Sequence, residues 1–420
     1  PGDAQAAPHG GVCDPQPRLR SLIRRGPPPG GGGRGGGGGG GGAAAAGARV
    51  CVLERSSVPR YKTCGGGLVG LSIDHVGIDL TGLVRSSVSA LTLSLDGRFR
   101  VSRGRVDDRP WLSMVMRSDL DAALLAAAEA AGATVRTGVQ VTALHDEQPD
   151  GSGANGSGAD DGWVTLRVRG GADVRARVVI GADGTSGRCG THVGVHCDQI
   201  DVGLEGEFLV DPAVAERWAG RMLIDWGPVP GSYGWLFPKG QVLTVGVIGD
   251  RAEGGALRTY YRRFVERLGL TDAPRQHDSG HLTRVRAPGS PLRRGRVLVA
   301  GDAAGLLDPW TREGISFALR SGRLAGEAAA GAVGAAASNG PRGAAALAAY
   351  PGRIETILGP EIAAGREVLG AFIRRPAVMH ALLSSPGTFG LFTRLIEGRT
   401  TVARQLRRPG VRAAVAALAR

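Results

Sequence analysis

The chain is 420 residues long, 42% apolar and 5% aromatic, which gives room for two or three domains around a large core and excludes a disordered chain. Its formal charge of +13 is carried almost wholly by arginine, Lys62 and Lys239 being the only lysines. No basic stretch interleaves with aromatics, so nucleic acid is discounted as a partner. Five cysteines without a C-x-x-C pair, and no window near the roughly eighteen apolar residues of a membrane span, point to a reducing, cytoplasmic setting with no metal site.

Residues 1–47 form an anomalous segment: Pro1–Pro29 has no periodicity, and Gly30–Gly42 is glycine broken only by Arg34. Ala48 to Glu54 then reads as a short strand ending in an acid. This is the second strand of a dinucleotide-binding βαβ unit, in which G-x-G-x-x-G precedes a ribose-binding acid by about 20 residues. Gly31, Gly33 and Gly36 meet that spacing, but polyglycine meets almost any spacing. No apolar strand precedes them, and a helix through Gly37–Gly42 costs about 1 kcal/mol per glycine relative to alanine. A frame shift upstream of about Ala43 accounts for both anomalies, because GC-rich codons in another frame still spell Gly, Pro, Arg and Ala. Resequencing the DNA tests it.

Cys64-Gly65-Gly66-Gly67 follows. Three glycines let a backbone lie flat against a planar ligand, since no Cβ intervenes; the same run also suits a plain flexible loop. Residues 71–116 read as strands and turns, with a hairpin at Asp96-Gly97. A helix runs from Arg117 through Ala131, with Ser118 as N-cap and Gly132 as its stop. Val135–Leu144 alternates as a strand, His145–Gly162 is a polar loop, and Trp163–Val168 pairs back. Arg177–Gly184 is another apolar strand, ending at Asp183-Gly184.

From about Gly187 to Arg284, strands at Gly203–Val210, Arg221–Trp226, Tyr233–Phe237 and Val242–Ile248 alternate with Gly/Pro turns, as in an antiparallel sheet. Tyr233, Trp235 and Phe237 project from one face, as either the core of a second domain or a pocket wall. Val297–Gly322 then opens as a strand, stops at Gly301-Asp302, and starts a helix near Glu313-Gly314. Its face of Ile315, Ala318, Leu319, Gly322, Ala325 and Gly326 suits close packing on a sheet. Ligands bind at such strand ends, and helix N-termini favour electron-rich groups. Only a large dinucleotide gives the strand-end acids Glu54, Asp183 and Asp302 common work. Residues 341–420 are Ala-rich helices punctuated by prolines. After Glu397 the tail has arginines and no acid, so it is either a strip for an anionic membrane or a solvated helix face.

In order and spacing, VCVLER, RYKTCGGGL, VVIGADGTSGR, YGWLFPKG with VGV, and GDAAGLLDPWTREGISFALRSG resemble the geranylgeranyl reductase family of FAD-dependent oxidoreductases over about Ala48–Ala330. The resemblance implies an α/β FAD-binding Rossmann-like domain of the aromatic-hydroxylase type (48–70, 117–186 and 285–340), an antiparallel substrate domain (71–116 and 187–284) and a helical C-terminal region (341–420). It also implies that Glu54, with Arg55 beside it, holds the adenosine ribose and that Arg117 and the Val141 backbone lie along the cofactor. Gly301-Asp302 would bind its ribityl or pyrophosphate part, with Asp183-Gly184 in support, and Gly314-Ile315 would face the flavin pyrimidine. Cys64–Gly67 would line the isoalloxazine and Tyr233, Trp235 and Phe237 the isoprenoid. Gly187 stands where that family usually has serine, and Arg312 where it commonly has glycine.

The activity so implied is reduction of prenyl carbon–carbon double bonds. Reduced flavin supplies hydride, Cys64 or Tyr233 supplies the proton, and NAD(P)H or another reductant recharges the flavin. A monooxygenase or halogenase of the same fold is the alternative. A prenyl lipid is the expected partner, with peripheral membrane contact through the basic C-terminal region.

Overall fold

The structure, a computed structural model, describes residues 48–105, 110–147, 162–336 and 342–420; Gly31, Gly33 and Gly36 lie outside it. Cys51–Leu53 pairs in parallel with Thr134–Arg136, and Val179–Gly181 in parallel with Val297–Val299. Glu54, Asp183 and Asp302 therefore all follow the carboxyl ends of parallel strands, the latter two from neighbours. The expected strand Val135–Leu144 is divided. Its first part joins Cys51–Leu53, and Val141–Glu147 pairs antiparallel with Trp163–Val168. Gly138, at φ +72°, makes the turn between them in a conformation that side chains disfavour.

Residues 71–116 are not all strand. Gly70–Val76 is a helix stopped by Gly77 at φ +69°, too short to show a period in sequence. The next helix, Arg117–Ala130, begins where expected, but Met116 is its N-cap and the Ser118 hydroxyl donates to Asp119 instead. Ala90–Leu95 and Arg98–Gly104 form the hairpin at Asp96-Gly97, whose φ values of +47° and +74° match the right-handed twist of a two-residue turn.

That hairpin joins a larger sheet. Its seven strands run Arg275–Arg286, Cys197–Leu209, Val242–Asp250, Tyr233–Lys239, Arg221–Trp226, Ala90–Leu95, Arg98–Gly104. All pairings are antiparallel except Arg221–Trp226 with Ala90–Leu95, which is parallel. The helix Gly254–Arg267 covers one face because Leu257, Tyr260, Tyr261, Phe264 and Val265 recur at helical spacing. They pack on Leu236, Val245 and Val247. The opposite face carries Tyr233, Trp235, Phe237 and Lys239.

The helix Ile315–Ala336 lies between the parallel strands and the helix Arg342–Ile357, in a core with Val297, Val299, Phe317, Leu324 and Tyr350. The Tyr350 hydroxyl donates to the Val299 carbonyl at 2.7 Å. Ala318, expected on the packed face, is exposed. In the C-terminal region Pro376, Pro386 and Pro409 open helices rather than break them, because a first-turn residue needs no N–H. Val415 and Leu418 of the last helix pack into the core beneath the large sheet, and Arg412 pairs with Glu367 at 3.4 Å. Among the described residues no helix is long and apolar enough to cross a membrane.

Gly70 joins the two ends of this architecture: a Cβ there lies 1.9 Å from the Glu397 carbonyl oxygen. Gly70→Ala is therefore expected to cost about 2–3 kcal/mol, read as a lower urea midpoint with an unchanged slope.

Candidate functional site

Val297–Val299 ends in a 3-10 turn, Gly301–Ala304, and Gly301 holds φ +54°. Its amide donates to the buried Ser321 hydroxyl at 2.9 Å, which fastens the turn to the following helix. A Cβ on Gly301 comes within 3.1 Å of Ala318, so turn and helix are in close contact. Asp302 stands partly exposed above this junction, with Lys62 Nζ 3.7 Å away and Gly314 adjacent. Glu313 takes up the Ser316 amide at 2.7 Å. Among the described residues no acceptor meets the amides of Gly314 and Ile315, which leaves a positive helix end beside Asp302.

A second group forms at Glu54. Its carboxylate accepts the Ser56 amide at 2.9 Å, and Arg60 bridges it to Asp121 at 3.5 Å on each side. Arg117 grips Asp121 through both Nε and Nη2, and its guanidinium also meets the Cys64 side chain. Burial alone lowers such a cation. The Cys64 sulfur and the Asp121 carboxylate reverse that and hold Arg117 above its ordinary range. Arg55 is exposed, and Val141 packs at the edge of the core around Val297 and Val299.

Asp183 is occupied differently: it accepts the Cys189 amide at 3.0 Å and so caps the helix Arg188–Val193. A Cβ at Gly187 lies 2.1 Å from the Asp183 Cγ, which explains glycine in place of serine. Gly184, at φ +76°, has open space around it. The structure thus brings Cys64 together with Arg117, and Asp302 with Gly314, while the Asp183 side chain serves its own helix.

The Cys64–Gly67 loop lies on the aromatic stripe. A Cβ on Gly65 sits 2.7 Å from the Phe237 ring and 3.2 Å from the Trp235 indole nitrogen. Gly66, at φ +71°, leaves a Cβ only 2.2 Å from the Val115 carbonyl. No larger residue takes this path. Tyr233 donates its hydroxyl to the Thr311 carbonyl, and burial raises that hydroxyl's pKa far above its ordinary value. The stripe is thus both core and wall. Past Tyr233 it opens into a cavity bounded by Trp226, Trp310, Phe372, Arg312, Ile373 and Pro376. Phe372 stacks on Trp310 at 5.3 Å and meets Trp226 at 4.4 Å.

Arg312 ties this cavity together. It pairs with Asp201 at 3.1 Å, both nearly fully buried, and donates to the carbonyls of Gly231 and Trp310. Its φ of +55° is the conformation that glycine holds most easily, so the departure at this position carries backbone strain.

Sequence reasoning missed Asp201, Glu205 and Glu207. Their signal was available: in Cys197–Leu209 the odd positions share one face, and acids there are unusual in a central strand. Beneath the loop, Glu205 Oε1 accepts the Cys64 amide at 2.9 Å and the Tyr61 hydroxyl at 3.2 Å. Tyr61 and Thr63 both reach Ser279, and Lys239 lies 3.6 Å from Glu207. Burial pushes the Glu205 carboxyl up to about 7, against the opposing pull of Lys239 and the Cys64 amide.

A carboxyl so raised is still protonated in the folded chain when the unfolded chain has released its proton. Its contribution to stability is full at and below the ordinary value of 4.5 and falls as pH climbs to about 7. Urea titrations across that window are expected to show this decline, and Glu205→Gln to flatten it.

A family model described as an FAD binding domain matches residues 31–339. A digeranylgeranylglycerophospholipid reductase of Methanothrix thermoacetophila is 35% identical over 221 residues, 48% of this chain and 52% of that protein. The chloroplastic geranylgeranyl diphosphate reductase of Oryza sativa is 27% identical over 308 residues, 70% of this chain and 63% of the relative. The match thus spans between half and two thirds of these curated relatives. Among solved structures, a geranylgeranyl bacteriochlorophyll reductase-like protein from Thermoplasma acidophilum aligns at TM-score 0.66 and 20% identity, over 91% of this chain and 97% of that one. A flavin-dependent halogenase aligns at TM-score 0.57 and 22% identity, over 80% and 63%. These structural likenesses speak to the fold.

Proposed function

The chain belongs to the FAD binding domain family, and on that premise we propose that it is a flavin-dependent reductase that saturates carbon–carbon double bonds of a prenyl chain. The reductase names of its relatives support this reading. The observation that carries it is the Cys64–Gly67 loop pressed on Trp235 and Phe237, between the Asp302–Gly314 junction and the aromatic cavity. A flat ring and a long apolar chain are the two ligands such a place accommodates.

The residues fit FAD. Asp302 is a partly exposed carboxylate that accepts no hydrogen bond from the described residues, Ala318 beside Gly301 is exposed, and the Gly314 and Ile315 amides are open. In this reading Glu54 with Arg55 takes the ribose, Arg117 and Val141 lie along the chain, Asp302 takes ribityl or pyrophosphate oxygens, and Asp183-Gly184 supports the turn. When bound and reduced by NAD(P)H or another donor, FAD supplies hydride. The protein has to hold the alkene dry and deliver a proton to its other carbon.

Cys64 suits the proton better than Tyr233. The Tyr233 proton is engaged by the Thr311 carbonyl, and burial opposes its release. Cys64 sits on the loop itself, with the Arg117 guanidinium against its side chain.

Anaerobic incubation of the reduced holoprotein with prenyl lipids is expected to add two hydrogen atoms per double bond, detected by mass spectrometry. Substrate-dependent hydroxylation or halogenation in air, without that gain, rejects the reductase reading in favour of the monooxygenase or halogenase. With the lipid that responds, Cys64→Ser is expected to slow turnover roughly 100-fold with flavin absorbance retained, and Tyr233→Phe less than about tenfold.

A further inference from the structure

The four most exposed large apolar side chains of the described residues are Phe99 at 71%, Ile373 at 45%, and Val378 and Leu382 at 44% each. Three elements supply them: the hairpin gives Phe99, the end of the helix Gly359–Arg374 gives Ile373, and the helix Pro376–Ser384 gives Val378 and Leu382. The backbone carbonyl of Phe99 meets His380 Nε2 at 2.8 Å, and Arg103 donates to the Ser384 carbonyl at 2.9 Å. The tip of the Ala90–Gly104 hairpin is thus fastened to the helix Pro376–Ser384. Met379, His380 and Leu383 of that helix face inward, and Ala377, Val378, Ala381 and Leu382 face out. Phe99 holds φ +48°, a conformation costly for an aromatic residue, and it is spent on presenting the ring to the outside.

The rim of this patch is basic. Arg98 and Arg100 flank Phe99, and Arg374 and Arg375 lie between Ile373 and the helix; all four are exposed and none has an ion pair among the described residues. From Val368 to Ile396 the sequence has no acid. Asp96, the acid nearest in the hairpin, is held by Arg267 at 2.9 Å. The patch also borders an opening, because Ile373 and Pro376 form one edge of the aromatic cavity.

We propose that this surface docks on an anionic lipid bilayer, with Phe99, Val378 and Leu382 entering the interface and the four arginines meeting headgroups, so that a prenyl chain passes from the membrane past Ile373 into the cavity. Apolar side chains ringed by arginine are the composition that partitions into such an interface, and each arginine strengthens attraction to negative lipid. The route of the chain rests on the prenyl-reductase reading; the docking itself does not. The surface differs from the arginine tail that the sequence offers for a membrane, where Val415 and Leu418 are used in packing.

Flotation of the full chain with vesicles of phosphatidylglycerol and phosphatidylcholine tests the docking without substrate or turnover. Binding is expected to anionic vesicles and to weaken at high salt. The triple variant F99S/V378S/L382S, and separately R98Q/R100Q/R374Q/R375Q, are expected to bind more than about tenfold more weakly. L209S/I357S, which removes exposed apolar side chains elsewhere, is expected to bind as the parent does. Circular dichroism and thermal melts establish that each variant is folded. Absence of vesicle binding by the parent, or undiminished binding by the folded triple variant, overturns the proposal. So does light scattering that shows a dimer which the triple variant abolishes, because the patch then belongs to a second copy of the chain. Vesicle binding without any prenyl reduction upholds the docking and rejects only the reductase reading.

Discussion

Arg312 and Asp201 are removed from water together, and much of the site's geometry follows from that. Asp201 belongs to a central strand of the large sheet, while Arg312 lies in the turn that carries Asp302 on one side and the Gly314 helix end on the other. A buried pair need not add net stability over apolar residues. Once present, however, neither partner can leave without stranding the other's charge, at about 3–5 kcal/mol. The pair therefore fixes where the parallel strands end relative to the sheet. Gly231 and Trp310, whose carbonyls also receive Arg312, are held with it, and the aromatic cavity has a rigid edge.

The glycine loop adds a second constraint. Its contact with Phe237 and Trp235 is too close for any Cβ, so its path is set by the sheet below. The sheet beneath it is not uniformly apolar: Glu205, Glu207 and Lys239 are buried there with oxygen and nitrogen atoms that lack hydrogen-bond partners. Such groups cost free energy unless they hold something in place. Glu205 does so, accepting the Cys64 amide and the Tyr61 hydroxyl from the two ends of one loop. The Cys64–Gly67 loop is thus positioned by polar contacts beneath it and by aromatic packing around it.

Strand ends were legible because an apolar run followed by an acid is a local pattern. Glu54, Asp183 and Asp302 could be read from it, and so could the alternating aromatics of Tyr233–Phe237. The use of each acid could not, since whether Asp183 meets a ligand or a helix amide depends on Gly187, several residues along, and on no periodicity at all. Helix Gly70–Val76 escaped because seven residues barely exceed the length at which a period exists. Ser118 failed as a cap because Met116, two residues earlier, holds the extended conformation and puts Ser118 inside the first turn. The Arg312–Asp201 pair and the Phe99–His380 contact join residues distant in sequence, so only the fold reveals them. Arg312 itself was visible as a departure from glycine, but its reason lay in a strand far upstream.

The parallel pairing of Ala90–Leu95 with Arg221–Trp226 has a consequence for how the chain is made. A hairpin finished early in synthesis must wait, with an apolar edge exposed, until a strand far downstream has left the ribosome. The large sheet thus cannot be completed from a continuous stretch of chain. Co-translational folding of such a protein is expected to pass through an intermediate with an open edge strand, the kind of species that chaperones recognise and that aggregates when they are scarce.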